Sequence, residues 1–246
     1  MKRLLSAAAL TTIFALPATG ADLTFQDPAG DDVGAGGLIY PTNEVFQPGA
    51  FDLRSFSVTR DGDMLRFDFE VGTPTQNAWQ MAGGFDVQMF FVFVDTRSGG
   101  HVEDLPGLNI QFAEADAWDK AIIVSPQPEA RVISEIPKAG VLAADVIAAT
   151  QISAGGPRIT AHVPITALPG GDPQTWGYQV IVQSNEGFPD GADLLTRKVN
   201  EFEEEYRFGG GDDSDCDPHV VDILGSPDQL AYACGTKRAT LSMVRK

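Results

Sequence analysis

The stretch RFGGGDDSDCDPHVVDIL, residues 207–224, places Asp212, Asp213, Asp215, Asp217 and Asp222 within eleven residues, beside one of the chain's two cysteines. Closely spaced carboxylates are ligands for hard cations such as calcium. Without a cation they repel one another, so the cluster is costly to fold. Asp213, Asp215 and Asp217 fit the first, third and fifth positions of an EF-hand, but Pro218 stands where the turn glycine belongs and Leu224 where the bidentate glutamate belongs. The expectation is a looser calcium loop built from Asp212, Asp213, Asp215 and Asp217; the competing possibility is an Asp-rich turn whose side chains cap their own backbone.

A second acidic patch, FQDPAGDDVGAGGLIYPTN, carries Asp27, Asp31 and Asp32. Domain termini often lie close together, so the two patches are expected to face each other and hold one calcium ion or neighbouring ones. That calcium would be structural.

The surrounding chain fits an exported protein. MKRLLSAAALTTIFALPATG has a basic start, an apolar run too short to span a bilayer and a small-residue cleavage site, so residues 1–20 read as a signal peptide and 21–246 as the mature domain, periplasmic or secreted. Processing removes Lys2 and Arg3 and takes the formal charge from −17 to −19. Such a surface repels phosphate backbones and anionic lipid, which argues against nucleic-acid or membrane-surface binding. In an oxidising compartment Cys216 and Cys234 are expected to form a disulfide that pins the acidic loop.

The elements that must position these residues read as strands. FDLRSFSVTRDGDMLRFDFEV is a hairpin about Asp61-Gly62-Asp63, with Leu65, Phe67, Phe69 and Val71 on one face. FDVQMFFVFVDT is apolar nearly throughout, as a strand covered on both faces should be. TQIS and RITAHVPI flank a Gly-Pro turn, with Ile159, Ala161, Val163 and Ile165 on one face, and WGYQVIV supplies a further strand. A short charged helix is expected over residues 196–206, and residues 140–150 fit helix or strand equally. Turn signals between short strands, with no regular βα alternation, predict an all-β antiparallel sandwich of jelly-roll type.

Motifs for catalysis are missing: there is no HExxH, GxSxG, Walker A loop or GxGxxG, and His101, His162 and His219 are widely separated. A glycosidase needs only two carboxylates, and none of the many acids stands out as a pair.

DPAGDDVGAGGLIYPTNEVFQPGAFDL, FDVQMFFVFVDT, LPGLNIQFAEADAWDKAIIV, WGYQVIVQSNEGF and RFGGGDDSDCDPHVVDIL resemble, in this order, the C-terminal domain of glucodextranase, a group placed with DOMON-like carbohydrate-binding modules. The resemblance implies a non-catalytic β-sandwich that binds glycan or attaches proteins to a cell surface, as an accessory to enzymes acting on α-glucans. A bound sugar should stack on aromatic rings. Trp79, in the polar loop TPTQNAWQMAGG, is the first candidate, with Trp118 next and Tyr40 and Tyr178 behind them; Trp176, opening an apolar strand, reads as core. Two alternatives stand beside this: a glycoside hydrolase acting on α-glucans, and a haem-binding electron-transfer protein, since some DOMON relatives hold haem and Met81, Met89, His101 and His162 offer axial ligands.

Overall fold

The computed structural model describes residues 23–189 and 191–246; the predicted signal peptide lies outside the described residues. The strands are β1 (Leu23–Gln26), β2 (Leu53–Asp61), β3 (Met64–Val71), β4 (Gln88–Asp95), β5 (Gln111–Phe112), β6 (Lys120–Val124), β7 (Val146–Ala148), β8 (Thr150–Gly155), β9 (Arg158–Pro164), β10 (Gly177–Ser184), β11 (Asp222–Ile223) and β12 (Thr240–Leu241). Among the described residues there is one α-helix, α1 (Glu129–Glu135), and no helix is long and apolar enough to cross a membrane.

Two five-stranded sheets carry the fold, ordered β1-β2-β3-β9-β8 and β11-β10-β4-β6-β7. The first is antiparallel throughout; in the second only β6 and β7 run parallel. The hairpin forms where the alternation places it: Asp61 pairs with Met64. Gly62 takes the positive φ of +61° that the first residue of a tight two-residue hairpin turn requires.

The apolar face of the hairpin, Phe56, Phe67 and Phe69, joins Ile159, Ala161 and Val163 of β9. Together they pack on Phe90, Val92 and Val94 of β4 and Tyr178, Val180 and Val182 of β10. Fully burying a side chain of this size contributes about 1.5–3 kcal/mol, so the layer supplies much of the force that holds the sheets together.

The second sheet is covered on its other face as well. Met89, Phe91, Phe93, Ile123 and Ile181 pack beneath Leu105, Ile110, Trp118, Val132, Leu142 and Leu194. This second layer is why every residue of β4 and β10 is buried, as the unbroken apolar run of β4 predicts.

Two local expectations, over residues 196–206 and at Ile165, are corrected, and one left open, over 140–150, is settled. Residues 196–206 form no helix: Thr196 bridges to Asn185, and the Glu204 and Glu205 carbonyls accept from the Thr42 and Asn43 N–H groups. Four glutamates in five positions would repel along a helix face, whereas the extended path lets the N-terminal segment take up their backbone groups. Residues 140–150 divide between a 3₁₀ segment ending at Asp145 and strands β7 and β8. Ile165 leaves the strand face and opens a 3₁₀ turn.

Candidate functional site

The long connections after β1 (residues 27–52), β3 (72–87) and β10 (185–221) all leave the same end of the two sheets, where β3 ends at Val71, β4 begins at Gln88 and β10 stops at Ser184. The N-terminal connection is bound to the C-terminal one by Gly34 N–H to the Val221 carbonyl (2.9 Å) and by a bridge between Ile39 and Gly209. Gly210, at φ +90°, permits this approach, because a Cβ there would lie 2.1 Å from the Gly37 carbonyl oxygen.

This clasp gathers carboxylates from distant parts of the sequence. Asp27 follows β1, Asp31 lies in the next turn and Asp222 opens β11; one oxygen from each can be chosen so that all lie within 4.8 Å of one another. Asp222 is fully buried and accepts from the backbone N–H groups of Leu53 (2.7 Å) and Ile223 (2.8 Å). Asp27 Oδ1 accepts from Gly225 N–H (2.5 Å), while its Oδ2 and both oxygens of Asp31 are enclosed without a hydrogen-bond partner. Asp52, also buried, accepts from Gly30 N–H (3.0 Å) and pairs with Arg54 (2.6 Å), leaving its Oδ1 without a partner.

Burial pushes the Asp27 carboxyl up to about 8, with Asp31 and Asp52 adding repulsion. Burial, then the charge of Asp27, pushes Asp222 up to about 9. Asp31 and Asp52 are raised too, again chiefly by burial. Several enclosed oxygens with no donor, on carboxyls that resist ionisation, are what a hard divalent cation relieves. The residues present therefore fit calcium.

The aspartates expected from spacing divide differently. Asp32 is buried and accepts from the Tyr40 hydroxyl. Tyr40 itself packs edge-on against Phe51 and Phe208 as a half-buried ring at the edge of the core. In the loop 212–217, Asp212 accepts from Ser214 N–H (2.8 Å), and its own N–H donates to Asp217 Oδ1 (3.1 Å). Asp215 pairs with Lys198 (2.7 Å) and His219 (2.9 Å). Asp213 is exposed beside Glu201, whose carboxyl is raised chiefly by its hydrogen bond with Asp213. Self-capping and ion pairs thus occupy much of this loop. It is Asp222, the last aspartate of the run, that joins the N-terminal patch.

Cys216 and Cys234 form the expected disulfide, with Cα atoms 5.5 Å apart across a separation of 18 residues. Closing a loop of that size removes roughly 3 kcal/mol of unfolded-chain entropy in the loop-closure picture. Replacing both cysteines by serine should therefore lower stability by about 2–4 kcal/mol in denaturant titration, with the sheets retained by circular dichroism.

The tryptophans separate cleanly. Trp118 has no exposed surface, donates its indole N–H to the Glu103 carbonyl (2.8 Å) and packs on Phe93, so a sugar cannot reach it. Trp118→Ala is expected to cost about 3–5 kcal/mol of stability by calorimetry, as for other large cavities. Trp176 is also buried, in the layer between the sheets.

Trp79 alone of the three presents its ring, at 39% exposure. The buried Asp86 holds its loop by accepting from Ala78 N–H (2.5 Å) and Trp79 N–H (3.1 Å). Beside it stands Tyr206, ring centroids 6.1 Å apart, in a position the sequence reading passed over. Arg197 lies over the Tyr206 ring at 5.9 Å and is fixed by Glu186 at 2.9 Å. Phe188 is 93% exposed, and its N–H donates to the same Glu186. Aromatics interleaved with glutamates in EFEEEYRF were the available signal, since a core segment does not carry so many charges.

The possible haem ligands are dispersed. Met89 is in the outer core layer, His101 binds Asp145 (2.8 Å) and lies tilted against Trp118, and His162 lies on the outer face of the first sheet near Asp61. Met81 belongs to the Trp79 loop, where its N–H donates to Asn77.

No curated protein matches the chain. The model of one family, described as the C-terminal binding-module, SLH-like, of glucodextranase, matches residues 23–239, which run from β1 to the residue before β12. With its two sheets and the clasp between its ends inside that match, the chain belongs to the glucodextranase C-terminal binding-module family.

Proposed function

We propose that the protein is an exported, non-catalytic module that binds glycan at the Trp79 end of the sandwich and is stabilised there by calcium. The observation that carries the glycan reading is the held, exposed pair Trp79 and Tyr206. Pyranose rings present C–H faces that stack on such plates. Because Asp86 fixes the loop from beneath, little ordering entropy remains to be lost on binding. Membership of a binding-module family supports the same reading, and the disulfide fits an oxidising compartment.

In the calcium reading, Asp27, Asp31 and Asp222 hold the ion, and Asp52 borders it with its partnerless Oδ1. Calcium would supply charge neutralisation and would tie the turn after β1 to β11. The ion is structural, so its loss acts on glycan binding only by loosening the loops of that end.

The test is retardation of the protein in native gels containing α-glucans or envelope polysaccharides, with reducing-sugar release assayed in parallel. Retardation without sugar release is expected. Release of reducing sugar would instead support a glycosidase.

A further inference from the structure

The rim of the exposed aromatic pair carries polar groups that ring stacking alone does not use. The Tyr206 hydroxyl is hydrogen-bonded to the Glu205 carboxylate, which holds the phenol above its ordinary pKa range. Glu205 Oε1 accepts from Asn43 Nδ2 (3.1 Å), and the same nitrogen donates to the Tyr206 hydroxyl oxygen (3.3 Å). Asn43 is itself fixed: its Oδ1 accepts from Val45 N–H (3.2 Å), and its own N–H donates to the Glu205 carbonyl (2.9 Å). The three side chains form a closed triangle in which the Glu205 carboxylate accepts twice. A carboxylate has about four lone-pair sites, so acceptor capacity remains, and Glu205 is exposed.

A tyrosine hydroxyl lies in the plane of its ring, so Glu205 stands at the edge of the plate and not over its face. A pyranose stacked on that face turns C–H bonds toward the ring and projects its equatorial hydroxyls outward, toward the same edge. We propose that Glu205 determines the specificity of the Trp79 face, accepting hydroxyl hydrogen bonds from a neutral glycan and turning away glycans that carry carboxylate or sulfate groups. This rests on the glycan reading of that face. Hydroxyl donors bind more strongly to a charged acceptor, whereas an anion brought to the same place meets like charge. The nearby cations are engaged elsewhere. Arg197 holds Glu186 (2.9 Å) and the Tyr206 carbonyl (2.6 Å), Arg207 adds its attraction to the same Glu186, and Lys198 pairs with Asp215 (2.7 Å). Glu201, Glu203 and Glu204, all exposed, deepen the negative field. Asn43 acts through the other two, as the positioning residue that orients Glu205 and Tyr206.

Titration calorimetry with amylose-type glucan, dextran and mannan, each beside its carboxymethylated form, tests this at about 0.15 M salt, where charges beyond ~8 Å are largely screened. The wild type should bind at least one neutral polymer about tenfold or more tightly than its carboxylated form. Glu205→Gln keeps an oxygen for Asn43 and Tyr206. It should weaken neutral binding about tenfold, as loss of a charged hydrogen bond does, and bind the carboxylated form no more weakly, so that the preference collapses. Asn43→Ala should reduce the preference by a smaller factor. Asp63→Asn makes the same charge change at the exposed turn between β2 and β3, at the far end of the sheet, and should leave the preference intact. Equal binding of neutral and carboxylated polymers, lost in Trp79→Ala, would leave the glycan reading standing and overturn the role of Glu205. A preference unmoved by Glu205→Gln, or moved as much by Asp63→Asn, would assign it to overall charge and overturn that role as well. Binding to none of the polymers in either form would overturn it together with the glycan reading.

Discussion

Chelating calcium at pH 8 is expected to lower the melting temperature by about 10 °C, and the same treatment at pH 5 to lower it by much less. The magnitude follows from mass action: an ion present at a thousandfold its dissociation constant stabilises by about 4 kcal/mol, and about 2–4 °C accompany each kcal/mol in a chain of this size. The pH dependence follows from the raised carboxyls. An unfolded aspartate titrates near 3.9, whereas Asp27 and Asp222 titrate near 8 and 9 in the fold. Between those values the folded metal-free protein binds more protons than the unfolded chain, so its stability falls as pH rises from about 4 to about 9. Calcium displaces those protons and binds better as pH rises, so the two melting curves diverge with pH.

Asp222→Asn separates the site from general acidity. The amide oxygen can still accept from Leu53 N–H, while the Ile223 N–H loses its acceptor. Calcium should no longer raise the melting temperature of this variant. A wild-type chelation shift that is absent, or one that does not grow with pH, would contradict calcium at this cluster.

Trp79→Ala is expected to reduce glycan affinity by about 10–100-fold, the loss that follows when a central aromatic anchor worth about 1.4–2.8 kcal/mol is removed. Its melting temperature should barely change, because the ring is 39% exposed and outside both core layers. Tyr206→Ala should weaken binding by a smaller factor, since that ring is Trp79's neighbour on the plate. Asp86→Ala is expected to combine both effects. It removes the acceptor of two backbone N–H groups, about 0.5–1.5 kcal/mol each, and it releases the loop that presents Trp79. Isothermal titration paired with melting curves distinguishes a lost contact from a loosened loop.

How much of this was legible in the sequence depended on range. The hairpin was readable because alternation of Leu65, Phe67, Phe69 and Val71 is a local property of a half-buried strand. The β4 run announced its second cover, although not what provides it. Trp79 was separable from Trp176 by the polarity of its neighbours, but Trp118 sits among equally polar neighbours and is nonetheless enclosed by residues far away in sequence.

The acidic clusters show the limit most clearly. Spacing within DDSDCDP suggested that its own aspartates converge, yet local capping satisfies several of them, and Asp222 meets Asp27 across almost the whole chain. Which carboxylate of a run crosses to a distant patch is fixed by strand pairing, here β11 beside β10. No local spacing encodes that pairing. The ion pairs of His219 are local by contrast, made with carboxylates two and four residues earlier.

The most direct test of glycan binding through the Trp79 face is affinity electrophoresis of wild type and Trp79→Ala against α-glucans and envelope polysaccharides, in calcium, at matched folded fractions. The wild type should be retarded by at least one polysaccharide, Trp79→Ala should run as in an empty gel, and no reducing sugar should appear. A wild type retarded by none of them, or a Trp79→Ala variant retarded equally, would contradict glycan binding at this face.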